Sequence, residues 1–257
     1  MSSRISAIFP SDINLRSMDM RTASTAALAA ISTFAAFSAA WVVRDYNQWV
    51  AFGSGGTPPT PSGYWRMSKF RWRMFWSSDN LRDASPLSDE GSTYLNRQLP
   101  QRQGQRPRIV ARTMPQRQRP EPLDAAIRER LHDIPAKYCK EHSQVLTLDL
   151  SKTEGRSTDA IYARPDLPGR DSTAKDRMLG NELAHVHPAD NSLHVWVSPA
   201  DAKQIVEKGW GERFPLSSLG MLHPSWIMVY APRSMEEVDT IEDIVKAAIG
   251  YLTGERL

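Results

Sequence analysis

Residues 181–233 read NELAHVHPADNSLHVWVSPADAKQIVEKGWGERFPLSSLGMLHPSWIMVYAPR and carry the clearest secondary-structure signals of the chain. Residues 193–198 are mostly apolar and β-branched or aromatic, a pattern typical of a strand buried on both faces. A helix is predicted to start at Pro199, because Ser198 is a suitable N-cap and proline loses no hydrogen bond at the first helical position. Gly209 is predicted to end it, since glycine readily adopts the left-handed conformation of a C-terminal cap.

A second strand and a final helix follow this stretch. Residues 227–230 predict the strand, and Pro232 ends it because proline has no N–H to donate to a sheet. Ser234 is predicted to cap a helix that ends before Gly254 and whose apolar side chains recur at helical spacing: Val238, Ile241, Val245, Ala248 and Leu252.

The segment upstream adds further elements of the same kinds. Residues 123–131 predict a short helix, and residues 145–150 and 160–163 predict two strands. In the first of these strands, Leu146, Leu148 and Leu150 are predicted to lie on one face. The fold class predicted from the whole pattern is α+β: a mainly antiparallel sheet with helices packed against it, preceded by an N-terminal transmembrane helix.

The N-terminal region divides into a tail and an apolar segment. Residues 1–22 are polar and irregular, which predicts a disordered tail. Residues 23–43 contain no charge, and a helix of about 20 apolar residues is long enough to cross a bilayer. We expect a retained membrane anchor, with a location in an endomembrane and the facing side left open. A cleaved signal peptide and a buried soluble helix are the alternatives.

Residues 44–63 are predicted to be a linker, because GSGGTPPTPSG at its end is too rich in glycine and proline for regular structure. Residues 64–257 then form the predicted globular domain. It opens with YWRMSKFRWRMFW, in which tryptophans alternate with cations. This composition suits a membrane interface, so membrane lipid is an expected partner. The alternative is an element packed on the core; nucleic acid is not expected.

Two compositional features limit the function classes. Cys139 is the single cysteine, which excludes an intramolecular disulfide framework. The net charge of +3 is unevenly placed, since residues 96–120 hold seven arginines and no acid. Such a run predicts a solvated, poorly packed loop.

Three histidines form the candidate site. His185 and His187 are two residues apart, so both project from one face of an extended segment, and His194 lies in the next strand. Together they suit a zinc, iron or copper site with Glu182 as the fourth ligand. They equally suit a general base with hydrogen bonds to a polar substrate, or a structural polar cluster.

The runs KGWGERFPL and WIMVYAPR and the closing IVKAAIGYLTG resemble the luciferase domain of fungi. The resemblance extends upstream through ELAHVH, GQRPRIVARTMPQRQ and RDYNQWVAFGSGGTPPTPSGY, and covers roughly residues 40–253. It implies that the arginine-rich RIVAR segment, residues 108–112, is ordered.

The resemblance also implies a chemistry. Light-emitting members add molecular oxygen to a 3-hydroxylated styrylpyrone, so a small-molecule substrate of this kind is expected. No cofactor is expected apart from oxygen as co-substrate, and a metal is not favoured. The enol must lose a proton, which needs a base and donors in a water-excluding pocket. The candidate catalytic residues are His185, His187, His194 and Glu182, and the candidate substrate contacts are Trp210, Arg213, Phe214, Trp226 and Arg233.

The chain departs from the light-emitting pattern at three places. Phe214 stands where the emitters have a histidine, Ser217 and Ser218 replace Ala-Gly, and the loop at residues 188–192 lacks a further histidine. If the missing imidazole is the base, the chain is a poor light emitter. A non-catalytic binding or scaffolding protein of the same fold is the alternative function.

Overall fold

A computed structural model describes residues 20–112 and 114–257 of the chain. Most of the predicted disordered tail lies outside these residues, and residues 20–22 already belong to the first helix. The chain divides into two compact units, Met1–Gln48 and Trp49–Leu257, and the second contains every strand described below.

The described residues form six helices and one six-stranded sheet. The helices are α1 Met20–Phe52, α2 Pro61–Ser77, α3 Ala125–Glu141, α4 Pro199–Glu207, α5 Pro215–Ser218 and α6 Met235–Thr253. The strands are β1 Leu146–Leu150, β2 Asp159–Ala163, β3 Glu182–Val186, β4 Leu193–Trp196, β5 Gly211–Arg213 and β6 Trp226–Val229. The sheet order is β1-β2-β3-β4-β6-β5 and every neighbouring pair is antiparallel. The predicted α+β fold is therefore confirmed.

Helices α3 and α6 contact each other; α3 also contacts β1, β2 and β3, and α6 contacts β2, β3 and β4, while α4 contacts β5 and β6. The predicted caps form: the Ser198 side chain accepts a hydrogen bond from the Asp201 N–H, and Gly254 ends α6 at a φ of +80°. The predicted apolar stripe of α6 is fully buried in the core: Val238, Ile241, Val245, Ala248 and Leu252. Burial of this stripe holds α6 on the sheet.

Helix α3 is longer than the predicted residues 123–131, because it continues through Pro135 to Glu141. Proline removes only one helical hydrogen bond, whereas Ile134 and Tyr138 extend the buried stripe past it. The predicted leucine face of β1 is only partly buried. Leu146 lies in the core, but Leu148 and Leu150 are exposed because β1 is an edge strand.

The predicted linker is shorter than expected. Helix α1 runs on to Phe52, since glycine first appears at Gly53, and α2 begins at Pro61, where Thr60 caps it. Residues 44–52 and 61–63 are thus helical. Trp49 is buried, 1% exposed, and its ring centroid lies 5.8 Å from that of Tyr64. Among the described residues, Ala23–Phe52 is long and apolar enough to span a membrane, by length and composition alone.

The prediction that the arginine-rich run is a poorly packed loop is wrong. Arg102 and Arg117 are buried, and Arg102 donates to the Ala231 carbonyl and to Glu237. Ile109 forms a β-bridge with Gln118, so the RIVAR segment takes part in an ordered turn. A buried guanidinium needs a paired acceptor, and these pairings fix the segment to the domain.

Candidate functional site

The sheet register brings the three histidines together. His185 of β3 lies directly opposite His194 of β4, and His187, two residues on from His185, shares its face. The ring centroid of His194 lies 5.4 Å from that of His185 and 4.8 Å from that of His187. All three side chains are buried.

A β-bulge adds Glu182 to the same face. In the pairing of β2 with β3, Ala184 faces Ile161 but Glu182 faces Tyr162, so Leu183 is an extra residue. One extra residue reverses the alternation of side chains. Glu182 therefore reaches His185, with its Oε1 atom 2.8 Å from Nδ1.

Each histidine has an acceptor beside its Nδ1 atom. His185 faces the Glu182 carboxylate, His187 lies 2.8 Å from the Ser192 hydroxyl, and His194 lies 3.3 Å from the Ile227 carbonyl. The Ser192 hydroxyl donates in turn to Asp190 at 2.8 Å. Because a carboxylate and a carbonyl only accept, and Ser192 already donates, Nδ1 carries the hydrogen in all three rings. The Nε2 atoms are left for other partners.

Charged groups lie on the Nε2 side of the cluster. His187 Nε2 is 3.2 Å from His185 Nε2 and 3.2 Å from the Arg117 guanidinium. Arg117 forms an ion pair with Glu154, whose Oε2 atom is 3.6 Å from His185 Nε2. Burial lowers the pKa of Arg117 to about 10. The site thus places a cation and a carboxylate beside the rings.

The protonation states follow from these surroundings. Burial lowers the pKa of His187 well below its ordinary value, and the charge of Arg117 lowers it further. Burial also lowers the pKa of His194, and the charges of His185 and Arg117 lower it further. Burial raises the pKa of Glu182, but hydrogen bonds and charge from His185 and nearby hydroxyls bring it down to about 2. Two neutral imidazoles and an ionised carboxylate result.

A cavity of about 250 Å³ opens next to the cluster, with His185 and His194 in its wall. Its apolar lining comes mainly from Met67, Phe70, Met114, Phe214, Leu216 and Trp226, and its polar lining from Arg66, Arg117, Lys152, Thr153 and Glu154. Trp226 stacks on His194 at 5.6 Å and 21°, while Phe214 meets the same ring edge-on at 4.9 Å. The cavity therefore has a flat aromatic wall next to a charged end.

The predicted site residues fall into two groups. His185, His194, Phe214 and Trp226 line the cavity, while Glu182 and His187 are buried in the hydrogen-bond network behind it. Trp210, Arg213 and Arg233 are not among the lining residues.

These three side chains have partners elsewhere. The Trp210 indole donates to the Pro100 carbonyl at 2.7 Å. Arg213 pairs with Asp79 and donates to the Asp83 carbonyl, while Arg233 is exposed and pairs with Glu237. The contacts of Trp210 and Arg213 join distant segments of the domain, whereas the Arg233–Glu237 pair lies at the start of α6. The structure thus does not bring the three residues to the cavity.

Sequence reasoning missed Arg117 and Glu154. Arg117 lies in the run that predicted a loop, and Glu154 lies in the turn between β1 and β2. The run of residues 108–118, which resembles the fungal domain, was a signal that its arginines are ordered. Nothing in the sequence pairs either residue with the histidines.

Fold and site define a class: an α+β protein in which one face of the sheet carries a buried histidine cluster next to a cavity. The family model described as Luciferase domain matches residues 180–248, which contain all three histidines. A luciferase of Armillaria ostoyae is 31% identical over 240 residues, covering 89% of this chain and 88% of the relative. A luciferase of Neonothopanus nambi is 36% identical over 167 residues, covering 61% and 62%.

The chain therefore belongs to the fungal luciferase family, and the resemblance seen in its sequence is confirmed. No solved structure matches it.

Proposed function

We propose that this protein is a luciferase-like oxygenase that adds molecular oxygen to a small hydroxylated pyrone of the 3-hydroxyhispidin type. The observation that carries the proposal is the cavity that ends at His185 and His194. A flat, conjugated ring suits its aromatic wall, and its charged end suits an ionisable hydroxyl group. Family membership supports the reaction type.

The enol hydroxyl must lose its proton before the ring reacts with oxygen. The neutral His194 imidazole and the Glu154 carboxylate lie at the cavity end as acceptors. Arg117 and Lys152 also line the cavity, and their charges favour the enolate over the neutral enol. The apolar remainder of the lining limits water, which strengthens these interactions.

The alternative is a non-catalytic protein that binds a small molecule in the same cavity. The histidine cluster favours catalysis, because burying three imidazoles, a guanidinium and carboxylates is costly and apolar binding does not need them. Groups with shifted pKa values at the wall of a cavity are typical of active sites.

The test uses purified full-length protein, the 3-hydroxylated styrylpyrone and air, with light and oxygen uptake recorded together. Oxygen uptake above that of the buffer is expected, with a loss of about 100-fold or more in His194→Ala. His142→Ala is the matched control, since His142 lies at the C-terminal end of α3 and pairs with Glu255. Binding of the pyrone without any oxygen uptake supports the binding protein instead.

We also propose that α1 anchors the protein in an endomembrane and that α2 lies on the lipid surface. Trp65, Trp72 and Trp76 share one side of α2 and are 64%, 61% and 75% exposed. The helix contains four cations, Arg66, Lys69, Arg71 and Arg73, and no acid. Tryptophan and cations together suit an anionic membrane surface.

The opposite side of α2 carries Met67 and Phe70, which line the cavity. A helix on the lipid surface would thus form one wall of the substrate site, which suits an apolar substrate dissolved in lipid.

The membrane test is sedimentation with vesicles, using chains that lack the α1 span. Replacing Trp72 and Trp76 by alanine is expected to reduce binding to anionic vesicles about tenfold or more, because two large apolar side chains leave the interface. Equal binding by the double variant contradicts the surface role of α2.

A further inference from the structure

Gln116 carries a buried hydrogen-bond acceptor that no described residue satisfies. The residue is 1% exposed and is one of those that line the cavity. Its Nε2 atom donates to the Glu212 carboxylate at 2.9 Å and to the Arg213 carbonyl at 3.1 Å. Its Oε1 atom is buried and accepts no hydrogen bond from any residue that the structure describes. A buried acceptor without a donor is costly and uncommon, so its partner has to be sought outside the chain.

The orientation of this amide is fixed by its partners. A carboxylate and a carbonyl only accept hydrogen bonds, so the NH₂ group has to face Glu212 and Arg213. Glu212 is itself held in place, because its Oε2 atom accepts from the Tyr230 hydroxyl at 3.1 Å and pairs with Arg82 at 3.5 Å. Oxygen, and not nitrogen, is therefore the atom of Gln116 that is left without a partner.

The two residues that hold the amide lie away from the cavity. Glu212 and Arg213 are not among the lining residues, whereas Gln116 and Phe214, the residue after Arg213, are. Oxygen and nitrogen leave the planar amide in different directions. With Nε2 turned to Glu212 and Arg213, the Oε1 atom is therefore the polar atom of Gln116 on the side of the cavity.

We propose that Gln116 Oε1 accepts a hydrogen bond from a hydroxyl group of the bound small molecule and so selects ligands that carry a hydroxyl at this wall. A neutral amide oxygen suits a neutral hydroxyl, because it repels an oxyanion and gains nothing from an ether or a C–H group. The selected hydroxyl is thus a different group from the enol that loses its proton under the proposed function. The substrate class narrows to flat rings with at least two hydroxyls, one that ionises and one that stays protonated.

The ligand has to reach an atom that neighbouring side chains cover. The cavity lining contains four methionines: Met67, Met114, Met178 and Met221. Methionine is unbranched and adapts its shape at low cost, so such a wall can shift to admit the edge of a ring. A buried water is the competing donor for Oε1. A water would satisfy Oε1 equally with every ligand, so the two donors differ in their effect on ligand selectivity.

The test is equilibrium binding to purified full-length protein under nitrogen, which prevents oxidation. Titration calorimetry compares the 3-hydroxylated styrylpyrone with analogues that lack one of its other hydroxyls in turn. With wild-type protein, one analogue is expected to bind about tenfold more weakly than the parent compound, or worse. In Gln116→Met, which replaces the amide by an apolar chain of similar length, this ratio is expected to fall to about one.

Gln118→Met is the matched control. Gln118 is buried in the same segment and its Oε1 atom accepts from the Ala231 N–H, but it is not among the lining residues. This variant is expected to be less stable and to keep a ratio of about ten. Equal affinities of wild-type protein for all the analogues, or the same ratio in Gln116→Met as in wild type, overturn the proposal.

A shorter amide covers the case in which Gln116→Met does not fold. Gln116→Asn withdraws the oxygen by one carbon–carbon bond, about 1.5 Å, so the ratio is again expected to approach one, and an unchanged ratio overturns the proposal.

Only the identity of the ligand rests on the proposed function, because the contact itself needs no reaction. Selective binding without oxygen uptake in air leaves the Gln116 contact standing and refutes the oxygenase. Oxygen uptake by a wild-type protein that binds all the analogues equally does the reverse.

Discussion

The role of Glu182 is tested by replacing it with glutamine, which keeps the shape and removes the charge. The Oε1 atom accepts from the Ser151 and Thr153 hydroxyls at 2.7 and 2.6 Å and from His185 Nδ1 at 2.8 Å. The Oε2 atom accepts from the Tyr162 hydroxyl at 2.7 Å and from the Lys152 and Thr153 backbone N–H groups at 3.0 and 3.2 Å. Six donors thus surround this carboxylate.

Glutamine has one oxygen, so its orientation decides the outcome. With the NH₂ group at the Oε2 position, two backbone N–H groups face a donor, at a cost of about 1–3 kcal/mol each. With the NH₂ group at the Oε1 position, the hydroxyls rotate to become acceptors, and His185 accepts at Nδ1 by moving its hydrogen to Nε2. The second orientation is the less costly, so the variant folds with His185 in the other tautomer.

We therefore expect a loss of about 1–3 kcal/mol in the free energy of unfolding, from weaker, uncharged hydrogen bonds. Oxygen uptake is expected to fall much more than this stability loss explains, because Nε2 of His185 no longer offers a lone pair. Denaturant unfolding measures the loss in the free energy of unfolding, and ¹⁵N NMR of the His185 ring shows the tautomer directly.

Glu242→Gln is the matched control. Glu242 is also a buried carboxylate, and it accepts from Lys137 and from the Tyr138 hydroxyl. It is not among the residues that line the cavity. The Glu242→Gln variant is expected to be less stable than the wild type and to keep its activity. Equal activity in the two variants, or an unchanged His185 tautomer in Glu182→Gln, would refute the reasoning.

Three further predictions follow from single features. Phe214→His places an imidazole in the cavity wall beside His194. The substitution is expected to raise the rate of pyrone oxidation or the light yield by a factor on the order of 10² or more. Strong light before the substitution, or no gain after it, contradicts this. The full-length chain is expected to stay in membranes through a carbonate wash. A chain that starts at Arg44, and so keeps the buried Trp49, is expected to stay in the supernatant. The reverse partition rules out an α1 anchor. Burial raises the pKa of Glu242, but Lys137 and Arg130 bring it below its ordinary value of 4.5, so its stabilisation is present above pH 4.5 and is lost as the pH falls further. The stability difference between wild type and Glu242→Gln should therefore vanish in acid, and a constant difference down to pH 3 would contradict the pairing.

The strands and helices of the C-terminal half could be predicted because their signals are local. Ser198 and Ser234 cap helices through their own side chains, and Gly209 and Gly254 end helices at positive φ. Such signals act within a few residues and need no tertiary context. Helix α3 runs past the predicted end at residue 131, because burial of Ile134 and Tyr138 in the core extends it through Pro135.

The site could be predicted only in part, because its assembly depends on register. The spacing of His185 and His187 places both on one face, but the position of Glu182 depends on the bulge at Leu183. By regular alternation, Glu182 would lie on the face opposite His185. Its position beside His185 therefore has a cause that the spacing does not contain, and its predicted role as a ligand or catalytic residue stays a prediction.

For the arginine-rich run, the composition predicted a solvated loop, and the structure shows buried arginines instead. Composition describes the average behaviour of such segments in water, and seven arginines without an acid predict a solvated loop. The acids that pair with Arg102 and Arg117 are Glu237 and Glu154, more than thirty residues away in sequence. A rule that counts charges within a window cannot detect pairs of this kind.

The departure at Phe214 can now be placed in the site. The three histidines, Glu182 and the acceptors behind the rings are all present, so the cluster itself is intact. Phe214 instead meets His194 edge-on from the cavity wall. A histidine there would add a polar group that faces the substrate rather than one that holds the cluster. Under the proposed function, an imidazole at this position would be a second proton acceptor at the substrate, and Phe214 cannot supply one. We therefore expect the substitution Phe214→His to change the rate of pyrone oxidation more than the affinity for the pyrone.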